Sequence, residues 1–155
     1  MSENSDSPLV VGWREYVALP EWGIPRIKAK VDTGARTSAL HVGRIEELPD
    51  GRVRFEVVVR EKPKLRTTIV EARPVKRTIV KSSSGEKQER FVFRTTLRIG
   101  PVERGVELNL VSRGGMLCRM LVGRTALSGG LLVDPERKYI HGGPKIRKAL
   151  KDEPR

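Results

Sequence analysis

The sequence predicts an all-β protein whose short strands form a closed, barrel-like sheet. Several segments are rich in apolar and β-branched residues, and residues 52–59 alternate between charged and apolar side chains at period two. Glycine and proline separate these segments, and Asp50-Gly51 is a tight-turn signal directly before one of them. Because little of the chain has helical spacing, we expect a single sheet that curls around its own core.

The predicted strands follow one another along most of the chain. They are 10–13, 29–31, 52–59, 67–72, 74–80, 91–99 and 106–111. Helical spacing occurs only at 124–127 and at 146–150. We therefore expect a sheet with one short helix in the domain and a second helical stretch near the end of the chain.

The length of 155 residues suits one domain, which is expected to span residues 9–142. Residues 1–8 are acidic and serine-rich, unlike a secretory signal, and are expected to form a mobile tail. Residues 143–155 are expected to form a basic C-terminal tail. No apolar run approaches the roughly 18 residues of a membrane span. The single cysteine, Cys118, allows no internal disulfide, which fits a cytoplasmic location.

The segment Asp32-Thr33-Gly34 carries the most chemical information. It follows the β-compatible run 27–31, and Gly34 lets the chain turn while the Thr33 hydroxyl can fix the turn. A carboxylate on such a turn suits acid–base hydrolysis, but the aspartic-protease mechanism uses two carboxylates that share one proton. The chain has no second Asp-Thr-Gly or Asp-Ser-Gly, so a second aspartate must come from another copy. An ordinary turn remains the alternative, because Asp and Gly are common in turns.

A later segment adds to this motif. Residues 120–127 read Met-Leu-Val-Gly-Arg-Thr-Ala-Leu, an apolar run followed by Gly-Arg and helical spacing. In this order the sequence resembles the retropepsins, half-size aspartic proteases that act as homodimers. Retropepsins carry an apolar strand into Asp-Thr-Gly-Ala and, later, an apolar-apolar-Gly-Arg segment that leads into a helix. The resemblance implies a retropepsin-like closed β-barrel with one short helix after Gly123-Arg124.

The resemblance is closer to one bacterial, retropepsin-like family that is often labelled as ATP-dependent zinc proteases. It covers roughly residues 10–141, and the long block around the Asp-Thr-Gly motif is its most specific part. The matching blocks are 11–15, 23–25, 27–41, 94–97, 120–127 and 132–135. The segment 113–116 matches less well, because it lacks the acidic residues associated with that family.

The resemblance implies roles for the residues around the motif. Asp32, Thr33 and Gly34 of two chains would form the catalytic centre, with one carboxyl ionised and the other protonated. Ala35 would offer backbone groups to the substrate. Gly123 and Arg124 would support the active-site loop.

Two residues near the motif need separate comment. Viral retropepsins usually place an acid at the position of Arg36, so Arg124 must find another partner or face solvent. His41 follows the motif at a short offset. We expect it to orient the active-site loop rather than to bind a ligand.

The residues do not support the zinc or ATP of the family label. The two histidines, His41 and His141, are far apart, and Cys118 lies in an apolar run where a buried structural role is expected. The sequence has no His-Glu-x-x-His, no Cys-x-x-Cys and no Walker loop. We therefore predict that the protein uses no metal and no cofactor.

A serine-rich stretch between two predicted strands is a candidate flap. Ser82, Ser83, Ser84 and Gly85 are expected to form the tip of a hairpin that closes over the substrate and excludes water. An ordinary solvated turn has the same composition and remains the alternative.

The charge predicts an anionic partner. The chain has 31 Lys and Arg against 19 Asp and Glu, a net charge of +12, and residues 60–94 hold 11 basic and 4 acidic residues. Aromatic residues make up only 5 %, and Tyr16 and Tyr139 are not interleaved with the basic run, which favours an acidic peptide over nucleic acid. The candidate contacts are Lys30, Arg36, Arg44, Lys76, Arg77 and Lys81.

The resemblance also suggests a substrate. Members of the bacterial family are often encoded near ligases that add glutamate to proteins, including the C-terminus of a ribosomal protein. An aspartic endopeptidase for polyglutamate tails is therefore the expected function. A non-catalytic basic β-barrel that binds acidic tails or RNA is the alternative, and a protease with unrelated substrates is a third reading.

Overall fold

A computed structural model describes residues 8–60, 63–81, 84–111 and 118–142 of the chain. Most of both expected tails, the helical stretch at 146–150, the segment 113–116, Ser82 and Ser83 lie outside these ranges. Within the described part, no helix is both long enough and apolar enough to cross a membrane.

Strands dominate the described chain, as the sequence predicts. They are β1 (Leu9–Leu19), β2 (Ile24–Val31), β3 (Ser38–Glu47), β4 (Val53–Arg60), β5 (Arg66–Ala72), β6 (Lys76–Lys81), β7 (Lys87–Ile99), β8 (Val102–Val111), β9 (Met120–Val122) and β10 (Leu131–Lys138). A 3₁₀ turn, Pro20–Trp22, joins β1 to β2, and the helix α1 spans Arg124–Leu127. The predicted short helix after the Gly-Arg segment is thus confirmed.

Three strands, β3, β9 and β10, have no counterpart among the sequence-predicted ones. β3 is buried at its start and exposed over its second half, so it lacks a continuous alternation of apolar and polar residues. β10 contains Pro135 and four consecutive exposed residues. Proline is tolerated there because β10 is the last strand of the sheet on that side and its register with β1 shifts between Asp134 and Lys138.

The main sheet curls until two of its strands, β1 and β7, meet at a single residue pair. Its strands lie in the order β10-β1-β2-β9-β3-β8-β7-β6, and the hairpin of β4 and β5 extends from the second half of β3. β1 bends far enough to meet β7 at one pair, Ala18 with Arg98. Among the described strands, β10 and β6 lie outside this ring, so the expected closed barrel is present only as a strongly curled sheet.

The core lies inside the curl, where apolar side chains from both parts of the sheet meet. Strand β4 turns Val53, Phe55 and Val57 inward because residues two apart share a face. Phe55 contacts Phe93 and Trp22, with ring centroids 5.1 and 5.2 Å away. This aromatic cluster ties the β4–β5 hairpin to the main sheet.

Candidate active site

Strand β9 brings the Asp-Thr-Gly and Gly-Arg motifs together. β9 lies between β2 and β3, parallel to β2 through the pairs Ala29–Met120 and Val31–Val122, and antiparallel to β3. Because parallel strands end at the same edge of a sheet, the loop after β2 and the segment after β9 emerge side by side. The first carries Asp32 and the second carries Gly123-Arg124.

Local hydrogen bonds hold Asp32 in place. Its backbone N–H donates to the carbonyl of Val122 at 2.9 Å, which continues the β2–β9 ladder by one residue. Its carboxylate Oδ1 accepts the N–H of Gly34 at 2.9 Å, and its carbonyl accepts the N–H of Ala35 at 3.2 Å. The carboxylate is therefore oriented by its own turn, as is typical of aspartate at the start of a turn. Asp32 is partly buried, whereas Thr33 and Gly34 are exposed.

Position 123 requires glycine because there is no room for a side chain, and not because of an unusual backbone angle. A Cβ at this position would lie 2.4 Å from the carbonyl oxygen of Thr37, closer than non-bonded atoms approach. The Gly123 N–H donates to Oγ of Ser38 at 3.0 Å, and Ser38 is fully buried. The start of β3 and the end of β9 are thus in direct backbone contact under the Asp32 loop.

The first residues of α1 support the loop from the other side. The N–H of Arg124 donates to the carbonyl of Ala35 at 2.8 Å, and the N–H of Thr125 donates to that of Arg36 at 3.1 Å. The guanidinium of Arg124 donates to the carbonyl of Gly34 at 3.4 Å. With Arg36 where viral enzymes have an acid, Arg124 therefore uses a backbone carbonyl as its partner.

An apolar hollow of about 500 Å³ opens beside the loop. Its lining includes Thr33, Arg124, Leu127, Leu131, Leu132 and Val133. Leu132 is 54 % exposed, and its register partner Val10 on β1 is 40 % exposed. The edge of the sheet next to Asp32 thus presents apolar side chains to the surroundings.

The candidate substrate contacts are dispersed. Lys30 is exposed next to the end of β2, and Arg36 is exposed on the loop itself. Arg44 lies on the second half of β3, opposite Glu56. The structure therefore brings only the first two, together with Ala35, to the Asp32 loop.

The other basic candidates lie on β6. Arg77 already pairs with Glu47 at 2.8 Å and Glu89 at 3.5 Å, and Nζ of Lys76 lies 3.9 Å from Glu107. Their charges are countered by the protein itself. The backbone of Lys81 ends the strand, and its side chain lies outside the described part.

The candidate flap falls on the hairpin of β6 and β7. The two strands pair antiparallel from Lys76–Val92 to Lys81–Lys87. Ser84 and Gly85 are exposed in the connecting turn, and Gly85 has a φ of 91°, which favours glycine. Ser82 and Ser83 lie outside the described residues.

His41 and Cys118 are both buried. His41 is buried in β3, and its backbone N–H donates to the carbonyl of Arg119 at 2.8 Å. Cys118 is a buried free thiol. Across the described ranges, no three His, Cys, Asp or Glu side chains gather into a group that could hold a metal ion.

Sequence reasoning missed several residues that shape the site. Ser38 belongs to the block that resembles the bacterial family, but nothing in its spacing indicates that it binds the backbone of Gly123. The amide of Asn109 on β8 donates to Oγ1 of Thr37 at 3.3 Å and so joins a third strand to the loop. Only the register of β3 with β8 reveals this contact.

A single Asp-Thr-Gly loop, held by a threaded strand and a Gly-Arg helix, defines the retropepsin-like class of half-size aspartic protease domains. The chain belongs to the RimB-like family, described as the retropepsin-like aspartic endopeptidase RimB, whose profile matches residues 10–144. The resemblance noted in the sequence is therefore confirmed.

The curated relatives carry a different name. Proteins called "Probable alpha-L-glutamate ligase" are 38 % identical in Shewanella pealeana over 89 % of this chain and 42 % identical in Desulfotalea psychrophila over 81 %. The relative from Parasynechococcus marenigrum is 37 % identical over 86 % of the chain. The matches cover 31, 28 and 29 % of these relatives, so the chain spans less than a third of their length.

A solved structure has the same fold. The crystal structure of a Legionella pneumophila protein of unknown function is similar with a TM-score of 0.68 and 27 % identity. The match covers 87 % of this chain and 99 % of that protein.

Proposed function

We propose that this protein is an aspartic endopeptidase of retropepsin type that is active as a homodimer and hydrolyses glutamate-rich peptide tails. The observation that carries the proposal is the Asp32 loop, in which a partly buried carboxylate is oriented by its own turn and braced by Gly123 and Arg124. The family assignment supports the same reaction.

In the proposed mechanism, two Asp32 carboxyl groups face each other across the dimer. Like charges this close cannot both ionise cheaply, so one is ionised and one protonated. The ionised group takes a proton from a water molecule, which attacks the carbonyl carbon of the scissile amide. The protonated group donates to the carbonyl oxygen. When the intermediate collapses, the C–N bond breaks and the amine leaves with a proton.

The dimer is supported by the surface next to the loop. The described part of the chain offers one Asp-Thr-Gly, and the apolar hollow with Leu132 and Val10 lies directly beside it. Exposed apolar patches of this kind are typical of surfaces that contact another protein. A second copy that covers this edge would bring its own Asp32 towards the first.

The acidic substrate is supported by charge and by the relatives. The net charge of +12 concentrates anionic peptides near the protein. Lys30 and Arg36 flank Asp32, and within the described residues neither forms an ion pair, so both can meet substrate carboxylates. Similarity to a part of proteins named as glutamate ligases suggests that both kinds of protein act on glutamate-containing chains. A tail added to a ribosomal protein in the cytoplasm is the substrate we propose.

The proposal can be tested by mass spectrometry of peptides that end in a run of glutamates. Native protein should shorten such a peptide, and Asp32→Asn should remove all turnover while leaving the far-UV circular dichroism spectrum unchanged. A peptide of equal length that ends in glutamines is the matched control and should be cleaved much more slowly.

Other outcomes point to other functions. If native protein and Asp32→Asn both bind the acidic peptide without cleaving it, the protein is a binding module. Equal cleavage of the glutamate and glutamine peptides would retain the peptidase and reject the acidic specificity.

A further inference from the structure

The outer face of β1 and β2 carries a row of basic side chains. Arg26, Lys28 and Lys30 alternate along β2 with buried residues, so they share one face and recur roughly every 6.6 Å. On the neighbouring strands, Arg14 pairs opposite Lys30, and Lys138 of β10 pairs opposite Arg14. Five cations therefore gather on one surface of three strands.

Aromatic rings lie among these cations. Tyr16 pairs opposite Lys28, and the Tyr139 ring stacks on it with centroids 5.2 Å apart and planes inclined by 25°. The guanidinium of Arg26 lies 3.6 Å from the centre of the Tyr16 ring. A third aromatic ring, that of Trp13, has the Arg14 guanidinium 4.7 Å from its centre. Rings and cations thus form one continuous surface, which we call the aromatic-basic face.

Tyr139, which contributes one of the rings of this face, has an unfavourable backbone conformation. Its φ is 56°, the only positive φ of a non-glycine residue in the described ranges. A bulky residue with such an angle is uncommon, and strained residues of this kind cluster at functional sites. The N–H of Tyr139 donates to the carbonyl of Arg14 at 2.8 Å, which fixes the residue at the end of β10.

A buried carboxylate secures the segment that follows Tyr139. Glu15 is fully buried and accepts the N–H groups of Gly12, Ile140 and His141 at 2.7, 2.9 and 3.1 Å. Hydrogen bonds to a charged acceptor are stronger than neutral ones, so this contact can hold a strained neighbour in place. The Tyr16–Tyr139 stack is thus supported from within the fold.

Among the residues that the structure describes, the cations of this face have no carboxylate partner. Within the described chain, none of the five takes part in an ion pair, whereas Arg54, Arg77 and Arg98 on other strands each bind one or more carboxylates. The positive charge of the aromatic-basic face is therefore available to an external anion.

We infer that the aromatic-basic face binds a single-stranded nucleic acid. Proteins that bind single strands combine cations that follow the phosphate backbone with aromatic rings on which bases stack. Both elements are present here. Tyr16 is covered by Tyr139 and by the Arg26 guanidinium, so a base would stack on the Tyr139 end of this pair, a flat surface that glutamate side chains would not use. The proposed peptidase activity is not needed for this inference, because the rings and four of the five cations lie outside the Asp32 loop and only Lys30 also flanks Asp32.

The test measures fluorescence anisotropy of a labelled oligouridylate of about twelve nucleotides over a range of salt concentrations. Native protein and Asp32→Asn should bind equally, with an affinity that falls as salt rises. Tyr16→Leu removes the ring that supports Tyr139 and should weaken binding by roughly 5- to 150-fold, the range for losing one stacked base, whereas Tyr16→Phe keeps the stack and should bind as the native protein does. Single-stranded DNA of the same length distinguishes a ribose requirement from general single-strand binding.

Further variants separate stacking from charge. Tyr139→Asn removes the ring without adding strain, since asparagine accepts left-handed angles, and it should also weaken binding. Arg26→Gln with Lys28→Gln should flatten the salt dependence by roughly 1.4 in log–log slope. The control Lys64→Gln with Arg66→Gln changes net charge equally near β5 and should leave binding unchanged.

Three results would overturn the inference. The first is native-like binding by both Tyr16→Leu and Tyr139→Asn. The second is equal weakening by the control pair of substitutions, which would indicate non-specific attraction. The third is loss of binding to an oligoglutamate peptide in Tyr16→Leu with no effect on the oligonucleotide, which would make this face a peptide site.

Discussion

At the scale of single residues, Gly123 shows how tightly the site is assembled. The space that its missing side chain leaves is filled by the backbone of Thr37. Backbone atoms cannot move aside as the end of a flexible side chain can. Any larger residue must therefore push β3 away from β9.

We expect Gly123→Ala to lower the free energy of unfolding by about 1–3 kcal/mol, because overpacking shifts the backbone. It should also reduce peptidase activity by displacing the Asp32 loop. In the control Gly43→Ala, the added Cβ would meet side-chain atoms alone, Glu56 at 3.2 Å and Val58 at 3.7 Å, and stability should change little. Urea unfolding of both variants checks this, and a native-like Gly123→Ala would contradict the packing account.

Glu15 is the second residue whose role follows from its contacts. Glutamine has the same shape but offers one acceptor oxygen and an NH₂ group that would oppose a backbone N–H. Glu15→Gln should therefore lower the free energy of unfolding by about 2–3 kcal/mol. The exposed Glu136→Gln is the matched control and should stay close to native. Equal stability of the two variants in urea would show that the three hydrogen bonds contribute nothing.

At the scale of elements, the turn between β3 and β4 gives a pH-dependent prediction. The Asp50 carboxylate accepts the backbone N–H of Arg52 at 3.1 Å and its Nε at 2.8 Å. The backbone hydrogen bond first, and then the guanidinium, lower the pKa of Asp50 from its usual 3.8. Because the folded state favours the ionised form, this stabilisation is present above the unfolded pKa and is lost as pH falls through the folded one.

Asp50→Asn should therefore be slightly less stable than native protein at neutral pH, and this difference should vanish in acid. The effect is small because the group is exposed. Chemical unfolding at pH 7 and near pH 2 measures it. If the stability difference between native protein and Asp50→Asn grew as the pH fell, the prediction would be contradicted.

The elements also show what sequence patterns can predict. Alternation of charged and apolar residues located β4, and the helical spacing after Gly-Arg located α1. β3 was missed because its charged second half belongs to the pairing with β4, and β10 because an edge strand tolerates Pro135 and charge. Whether such a segment forms a strand depends on the strands that it pairs with more than on its own residue pattern.

The site could be predicted in part. The Asp-Thr-Gly and Gly-Arg motifs are local, and the family resemblance placed them together. Separation along the chain made Tyr16 and Tyr139 look unrelated to the basic residues, but the pairing of β10 with β1 stacks their rings. The two tyrosines are separate from the basic run 60–94 in the sequence, but at this surface they lie beside other basic residues, Arg26 and Lys28.

At the scale of the whole molecule, the sheet leaves an apolar edge at β10 next to the Asp32 loop. We expect Leu132→Lys to shift the protein from dimer to monomer and to remove peptidase activity, since a charge there is costly to bury. Ile69→Lys, on the β4–β5 hairpin, changes an equally exposed apolar residue and should keep both properties. Analytical ultracentrifugation measures the oligomeric state, and peptide cleavage measures the activity. A monomeric Leu132→Lys variant that is still active would contradict an active site shared by two chains.

In the proposed dimer, each active centre needs Asp32 from two chains, so mixed dimers of native and variant subunits decide whether the site is shared. Native protein is unfolded and refolded together with increasing amounts of Asp32→Asn, and peptide cleavage per native chain is measured. Random pairing in a two-fold dimer predicts about one half of the activity at equal amounts and about one tenth at a nine-fold excess of the variant. Activity that stays constant at every ratio would place the whole catalytic centre within one chain and contradict the account.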